Sequence, residues 1–117
     1  MLESKIQRDI RKYLQSEGAY CVKYHGSNYT ERGVPDILCC WNGMFIGIET
    51  KRPNHEKEQT EYQKIHERNI QKANGIYILA TSVADVERVI FKMKGLLHNE
   101  HFIDRNEHRE YYDPSVE

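Results

Sequence analysis

Apolar residues recur at helical spacing over the first seventeen positions, at Leu2, Ile6, Ile10, Tyr13 and Leu14, with charged residues between them. Gly18 follows directly, in the place of a C-terminal cap. The pattern predicts an amphipathic helix over 2–17. The period then changes: positions 19–25 are dense in aromatic and β-branched residues and predict a strand. The polar stretch 26–33, bracketed by glycines, predicts a loop. Two further strands follow, joined at Asn42-Gly43, and Pro53 ends the second of them. Positions 55–74 predict a helix with Tyr62, Ile65, Asn69 and Ala73 along one side, closed by Asn74-Gly75. The short apolar run Ile76-Tyr77-Ile78-Leu79-Ala80 suits a buried central strand. Thr81, Ser82 and Asp85 offer a cap and an acidic first turn to a last helix, with Val83, Val86, Val89, Ile90 and Met93 inward and an end near Gly95. The order is αβββαβα. No repeat or linker interrupts it, so 1–97 is expected to form one domain and 98–117 a polar tail without period.

The middle hairpin can be taken further, because its turn sets its register. Asn-Gly suits a two-residue type I′ turn, in which both positions need positive φ. With Trp41 opposite Met44, Asp36 falls opposite Glu49, and opposed Cβ atoms in an antiparallel pair lie about 5 Å apart. Alternation places Lys51 on the face of Glu49 and turns Thr50 the other way. The other face carries Ile37, Cys39, Trp41, Met44, Ile46 and Ile48, a core face. Pro35 stands at the start of its strand, where proline is tolerated. A one-residue bulge between Asp36 and Glu49 would turn one carboxylate away.

Composition adds little and excludes some classes. The chain has 117 residues, 38% hydrophobic and 30% charged, with a formal net charge of −1. That length supports a single core. No apolar run approaches membrane-spanning length, and the N-terminus lacks the apolar segment of a signal peptide, so a cytoplasmic protein with no membrane partner is expected. Three cysteines, with Cys39 and Cys40 adjacent and Cys21 alone, give no Cys-x-x-Cys pair and are expected to be buried free thiols. The charge is uneven: Lys5, Arg8, Arg11, Lys12, Lys23 and Arg32 make the first third positive, and such patches bind phosphates without a basic total. Tyr29 and Arg32 suit stacking and phosphate contact. In the tail, His98, His101 and His108 lie with Glu100 and Asp104, but their spacing matches no standard zinc site. His25 reads as a surface histidine near the hairpin.

The hairpin carries the candidate chemistry. Two carboxylates facing each other across a strand pair repel, which raises one pKa unless a cation lies between them. Magnesium takes oxygen ligands and keeps several waters, so Asp36, Glu49 and the main-chain carbonyl of Thr50 form a sufficient protein-side set. Lys51 would stand beside the ion, placed to orient a water and to offset charge on phosphorus. This set suits phosphodiester hydrolysis and lacks the imidazole or thiolate of acyl transfer. Glu3, in the first turn of the opening helix, reads on spacing as an acid favoured by the helix dipole.

Gly33-Val34-Pro35-Asp36, twelve residues, then Glu49-Thr50-Lys51 resembles the PD-(D/E)XK nuclease signature. That resemblance implies an α/β fold of the restriction-endonuclease type, an αβββαβ core with a central mixed sheet flanked by helices. More narrowly, the chain resembles a stand-alone VRR-NUC (virus-type replication-repair nuclease) domain of phage and viral type. The likeness is carried by Glu3-Ser4-Lys5-Ile6-Gln7, Gly33 to Leu38, Glu49-Thr50-Lys51-Arg52-Pro53 and Thr60-Glu61-Tyr62-Gln63. It implies Asp36 and Glu49 as metal ligands, Lys51 as catalytic lysine, and Glu3 and Gln63 completing the site. It further implies a Mg²⁺- or Mn²⁺-dependent deoxyribonuclease without a small-molecule cofactor. Branched, Holliday-junction-like DNA is its expected substrate, a homodimer its expected state, and host cytoplasm its location if phage-encoded. A symmetric junction itself favours a two-fold dimer. The rival readings are a non-catalytic nucleic-acid-binding or assembly subunit of a replication complex with the same fold, and a sequence-specific restriction-type enzyme, which would need more chain for base contacts.

Overall fold

A computed structural model describes residues 2–99. The elements run α1 (Leu2–Ser16), β1 (Tyr20–Lys23), β2 (Ile37–Trp41), β3 (Met44–Thr50), a 3₁₀ turn (Glu56–Glu58), α2 (Glu61–Lys72), β4 (Ile76–Ala80) and α3 (Val83–Asn99). The four strands form one sheet in the order β1-β2-β3-β4. The first three are antiparallel neighbours, and β4 joins β3 in parallel after the α2 crossover. This is the expected mixed sheet flanked by helices.

The hairpin register is the expected one. Asn42 and Gly43 both take positive φ, 52° and 78°, and the pairs run from Trp41↔Met44 to Ile37↔Ile48 without a bulge. One step further sets Asp36 against Glu49 and Pro35 against Thr50. The alternation sends Ile37, Cys39, Trp41, Ile46, Ile48, Ile78 and Ala80 to one face, where Ile6, Ile10, Leu14, Val86 and Ile90 from α1 and α3 close the core. The Trp41 indole N–H donates to the Glu17 carbonyl at the end of α1. Burying aliphatic side chains of this size contributes about 1.5–3 kcal/mol each, which makes this face the main source of stability.

Several expectations need correction. The strand Ile76–Ala80, expected to be central, lies at the edge of the sheet beside β3 alone. The helix expected over 55–74 begins only at Glu61. Thr60 is extended, and its hydroxyl accepts from the Gln63 amide while the Gln63 side chain accepts from the Thr60 amide. That capping box starts the helix and cuts it from the preceding turn. The inward side of α2 is also not Tyr62, Ile65, Asn69 and Ala73: Tyr62 and Ile65 are exposed, and Gln63, His66, Glu67 and Ile70 face inward. The last helix passes Gly95 and runs to Asn99, because Met93 and Leu97 continue to pack on the core.

The cysteines differ as well. Cys21 and Cys39 stand directly opposite on β1 and β2, with Cα atoms 4.3 Å apart, and are joined as a disulfide; Cys40 is free and exposed. Cross-strand neighbours at this spacing bring their side chains together. The pairing depends on how loop 26–33 returns the chain to the sheet, which cysteine spacing does not encode. The tail histidines and acids lie outside the described residues. No described helix is long and apolar enough to cross a membrane.

Candidate metal-dependent nuclease site

The site lies where β2 begins and β3 ends. Glu49 points away from the main core, on the sheet face covered by α2, and is only 4% exposed. Burial, reinforced by the Asp36 charge, pushes its carboxyl up to about 8, against a smaller opposing pull from Lys51. Its Oε2 accepts from the Gln63 Nε2 at 3.1 Å and lies 3.8 Å from the Lys51 ammonium. Its Oε1 is buried and has no hydrogen-bond partner among the described residues. A buried carboxylate oxygen without a donor is costly. A divalent cation beside it would satisfy that oxygen and return Glu49 to its ionised form.

Asp36 is held from the other side of β3. Its Oδ2 accepts the Thr50 main-chain N–H at 2.9 Å and the Thr50 hydroxyl at 2.7 Å. In strands, a residue's N–H and C=O project to the same neighbour, so the Thr50 carbonyl points with its N–H toward Asp36. The residue opposite Thr50 in this register is Pro35, which has no N–H to offer that carbonyl. Two carboxylates and a main-chain oxygen directed to the side of Asp36 make up a donor set suited to a hard, oxygen-seeking ion such as Mg²⁺ or Mn²⁺.

Gln63 reaches this centre by way of the capping box. Its Oε1 is taken by the Thr60 amide at 2.9 Å, which turns its Nε2 toward Glu49. The start of α2 is fixed from two further directions. Gln59 donates to the Tyr77 hydroxyl on β4 and to Glu67 on α2. Gly33, at φ +83°, lies so close to Tyr62 and Gln63 that a Cβ there would sit 2.4 Å from the Tyr62 carbonyl carbon. Only glycine permits that approach. Loop 26–33 is thereby pressed onto the helix start, with the Arg32 guanidinium 5.5 Å over the Tyr62 ring, and the chain passes from it directly into Asp36.

Of the residues singled out by sequence, Asp36, Glu49, Thr50, Lys51 and Gln63 come together. Glu3 is half-buried and close enough for its charge to act on Glu49. Among the described residues, however, no three His, Cys, Asp or Glu side chains cluster tightly enough to hold an ion by themselves. Tyr29 is 99% exposed at the loop tip, and His25 is also exposed. One residue near the site was given no role from sequence: Gln7, which donates its Nε2 to the Thr50 hydroxyl at 2.9 Å and is 8% exposed. The available signal was a polar residue on the apolar stripe of Ile10 and Leu14.

Known proteins resemble this chain in sequence and in fold. The sequence model of the archaeal Holliday junction resolvase (Hjc) family matches residues 3–110. A solved VRR_NUC domain superposes with a TM-score of 0.63 at 18% identity, covering 77% of this chain and 95% of that one. At that identity the likeness is one of fold. No curated protein matches the sequence.

Proposed function

The chain belongs to the Holliday junction resolvase family, metal-dependent nucleases selective for branched DNA, and from that membership we propose that Asp36, Glu49 and Lys51 form its hydrolytic centre. Asp36, Glu49 and the Thr50 carbonyl would hold Mg²⁺ or Mn²⁺. The ion, when bound, supplies Lewis-acid activation of the phosphodiester and of a water. The observation that carries this assignment is the buried Oε1 of Glu49, which has no hydrogen-bond partner among the described residues, beside the charge of Asp36.

Each side chain then has a definable task. Asp36 presents a carboxylate whose rotation is stopped by the two Thr50 donors on Oδ2. Glu49 is held by Gln63 through one oxygen, which leaves the other to the ion. Lys51, whose side chain is only 13% exposed, offers an ammonium to the attacking water and to the negative charge that develops on the phosphate oxygens. Glu3 adds negative charge at the rim and serves as a further metal-side acid. Gln63 is a positioning residue for Glu49.

The substrate we propose is a four-way DNA junction or a similar branch. The exposed bases Arg8 and Lys12 on α1, with Arg32 and Arg52, would follow the phosphate backbone and read shape in place of sequence. A homodimer fits the two-fold symmetry of such a junction. The narrower assignment to the stand-alone phage or viral VRR-NUC type is supported by Glu3, Gly33 to Leu38, Glu49 to Pro53 and Gln63. It carries a cytoplasmic location, in the host if a phage encodes the chain. The rival reading, a non-catalytic assembly subunit, is disfavoured by the presence of both acids and the lysine.

The test is a panel of four-way junction, linear duplex and single-stranded DNA with Mg²⁺ or Mn²⁺, for wild type, Asp36→Ala and Lys51→Ala. Metal-dependent cutting of the junction by wild type alone is expected. Cutting that persists in chelator, or that survives both substitutions, would overturn the site. Binding to the junction without cutting would support the assembly subunit.

A further inference from the structure

The side chain of Gln7 is buried in the apolar layer between α1 and the sheet, among Ile6, Ile10 and Leu14. Burying an amide there is unfavourable unless it is hydrogen-bonded. Its partner is the Thr50 hydroxyl, itself buried, and that hydroxyl in turn reaches Asp36. Protons can be assigned along this chain from chemistry alone. A hydroxyl has one hydrogen and two lone pairs, and an ionised carboxylate only accepts. Gln7 Nε2–H fills a lone pair of Thr50 Oγ1, so the hydroxyl hydrogen is committed to Asp36 Oδ2. With the amide reversed, one hydrogen would have to serve two acceptors, the Gln7 carbonyl and Asp36.

We propose that Gln7 is a positioning residue for the metal site, acting on Asp36 through the Thr50 hydroxyl. The relay crosses the sheet, from a helix on the core face to a carboxylate at the opposite opening. Thr50 supplies both donors to Oδ2, the main-chain N–H and the hydroxyl, and the second of these is directed only while Gln7 holds it. Without Gln7 the hydroxyl can turn away, Asp36 keeps a single donor, and its carboxylate regains rotation about Cβ–Cγ. Partners that orient a metal ligand typically set metal affinity by 10–100-fold. Gln7 also lies one helical turn after Glu3, so the same hydrogen bond pins the part of α1 that carries Glu3.

This inference rests on the metal-site assignment above, and the experiment separates the two. Calorimetric titration with Mn²⁺ is carried out on wild type, Gln7→Met, Thr50→Val and the double variant, beside junction affinity in chelator and thermal unfolding. Methionine fills the volume of glutamine in an apolar layer, and Gln7→Leu provides a second version should the first fold poorly. Gln7→Met is expected to weaken Mn²⁺ binding about tenfold or more, leave junction affinity in chelator unchanged, and need correspondingly more Mg²⁺ for cleavage. Thr50→Val is expected to reproduce that loss, and the double variant to add nothing to it, because Gln7 acts through the hydroxyl. Losses that multiply in the double variant, or Mn²⁺ affinity unchanged in a folded Gln7 variant, would overturn the relay. Wild type that binds no Mn²⁺ would overturn the metal site and the relay together.

Discussion

Glu49→Gln is expected to stabilise the metal-free protein while abolishing cleavage. The folded chain keeps the Glu49 proton until about pH 8, whereas the ordinary value is 4.5. Between those values the folded state holds a proton that the unfolded chain has released, so stability falls as pH rises through the window. Each pH unit is worth about 1.4 kcal/mol for one group, which gives a loss of about 3 kcal/mol by pH 7. Glutamine carries no charge to desolvate, and its carbonyl still accepts from Gln63. It therefore recovers most of that loss, about 10 °C in melting temperature for a domain of this size. The assay is urea unfolding in chelator at pH 5, 7 and 8.5. The variant should match wild type at pH 5 and exceed it increasingly above. Adding Mg²⁺ should stabilise wild type alone. Parallel pH profiles, or a variant less stable at pH 8.5, would refute a buried, strained Glu49.

The same shift predicts that metal binding releases close to one proton per ion near pH 7, measurable from calorimetry in buffers of different ionisation enthalpy, and that affinity rises with pH up to about 8. Lys51→Met should keep junction affinity within a few-fold while reducing the single-turnover cleavage rate at least 10²-fold, the scale of losing one charge-stabilising donor. Gln63→Ala removes the side-chain half of the capping box, leaving the Thr60 hydroxyl on the residue-63 amide, and removes the Glu49 partner. It should cost about 1 kcal/mol in urea unfolding and lower metal affinity, whereas Gln63→Glu should retain the cap yet still impair the site by setting a second acid against Glu49. Under non-reducing conditions a thiol titration of the native protein should find Cys40 alone reactive, with Cys21 and Cys39 appearing only after reduction.

Much of this was legible in the sequence because one turn carried it. Asn42-Gly43 sets the β2–β3 register, and the register alone sets Asp36 against Glu49 and sends Thr50 to the other face from Lys51. The first and last helices were legible from their apolar periodicity, since each buries a stripe against the sheet. What failed was where polar side chains replace apolar packing. The α2 helix covers a charged site, so its inward residues Gln63, His66 and Glu67 look like a surface, and the apolar Tyr62 and Ile65 misled its phase. The Thr60-x-x-Gln63 capping box was present to mark the true start. Gln7 was given no role for a related reason: its partner Thr50 is 43 residues away, and its place on the apolar stripe with Ile10 and Leu14 was the one local sign of burial. The Cys21–Cys39 pairing depended on the β1 register, which the thirteen residues between β1 and β2, an irregular connection, leave open to sequence.

The most direct measurement is anomalous diffraction from crystals grown with Mn²⁺. A peak bounded by the carboxylates of Asp36 and Glu49 and the main-chain carbonyl of Thr50, lost in Asp36→Ala, is the expected result. Full occupancy of Mn²⁺ elsewhere, with Asp36 and Glu49 left facing each other without an ion, would contradict the assignment of this hairpin as the catalytic centre.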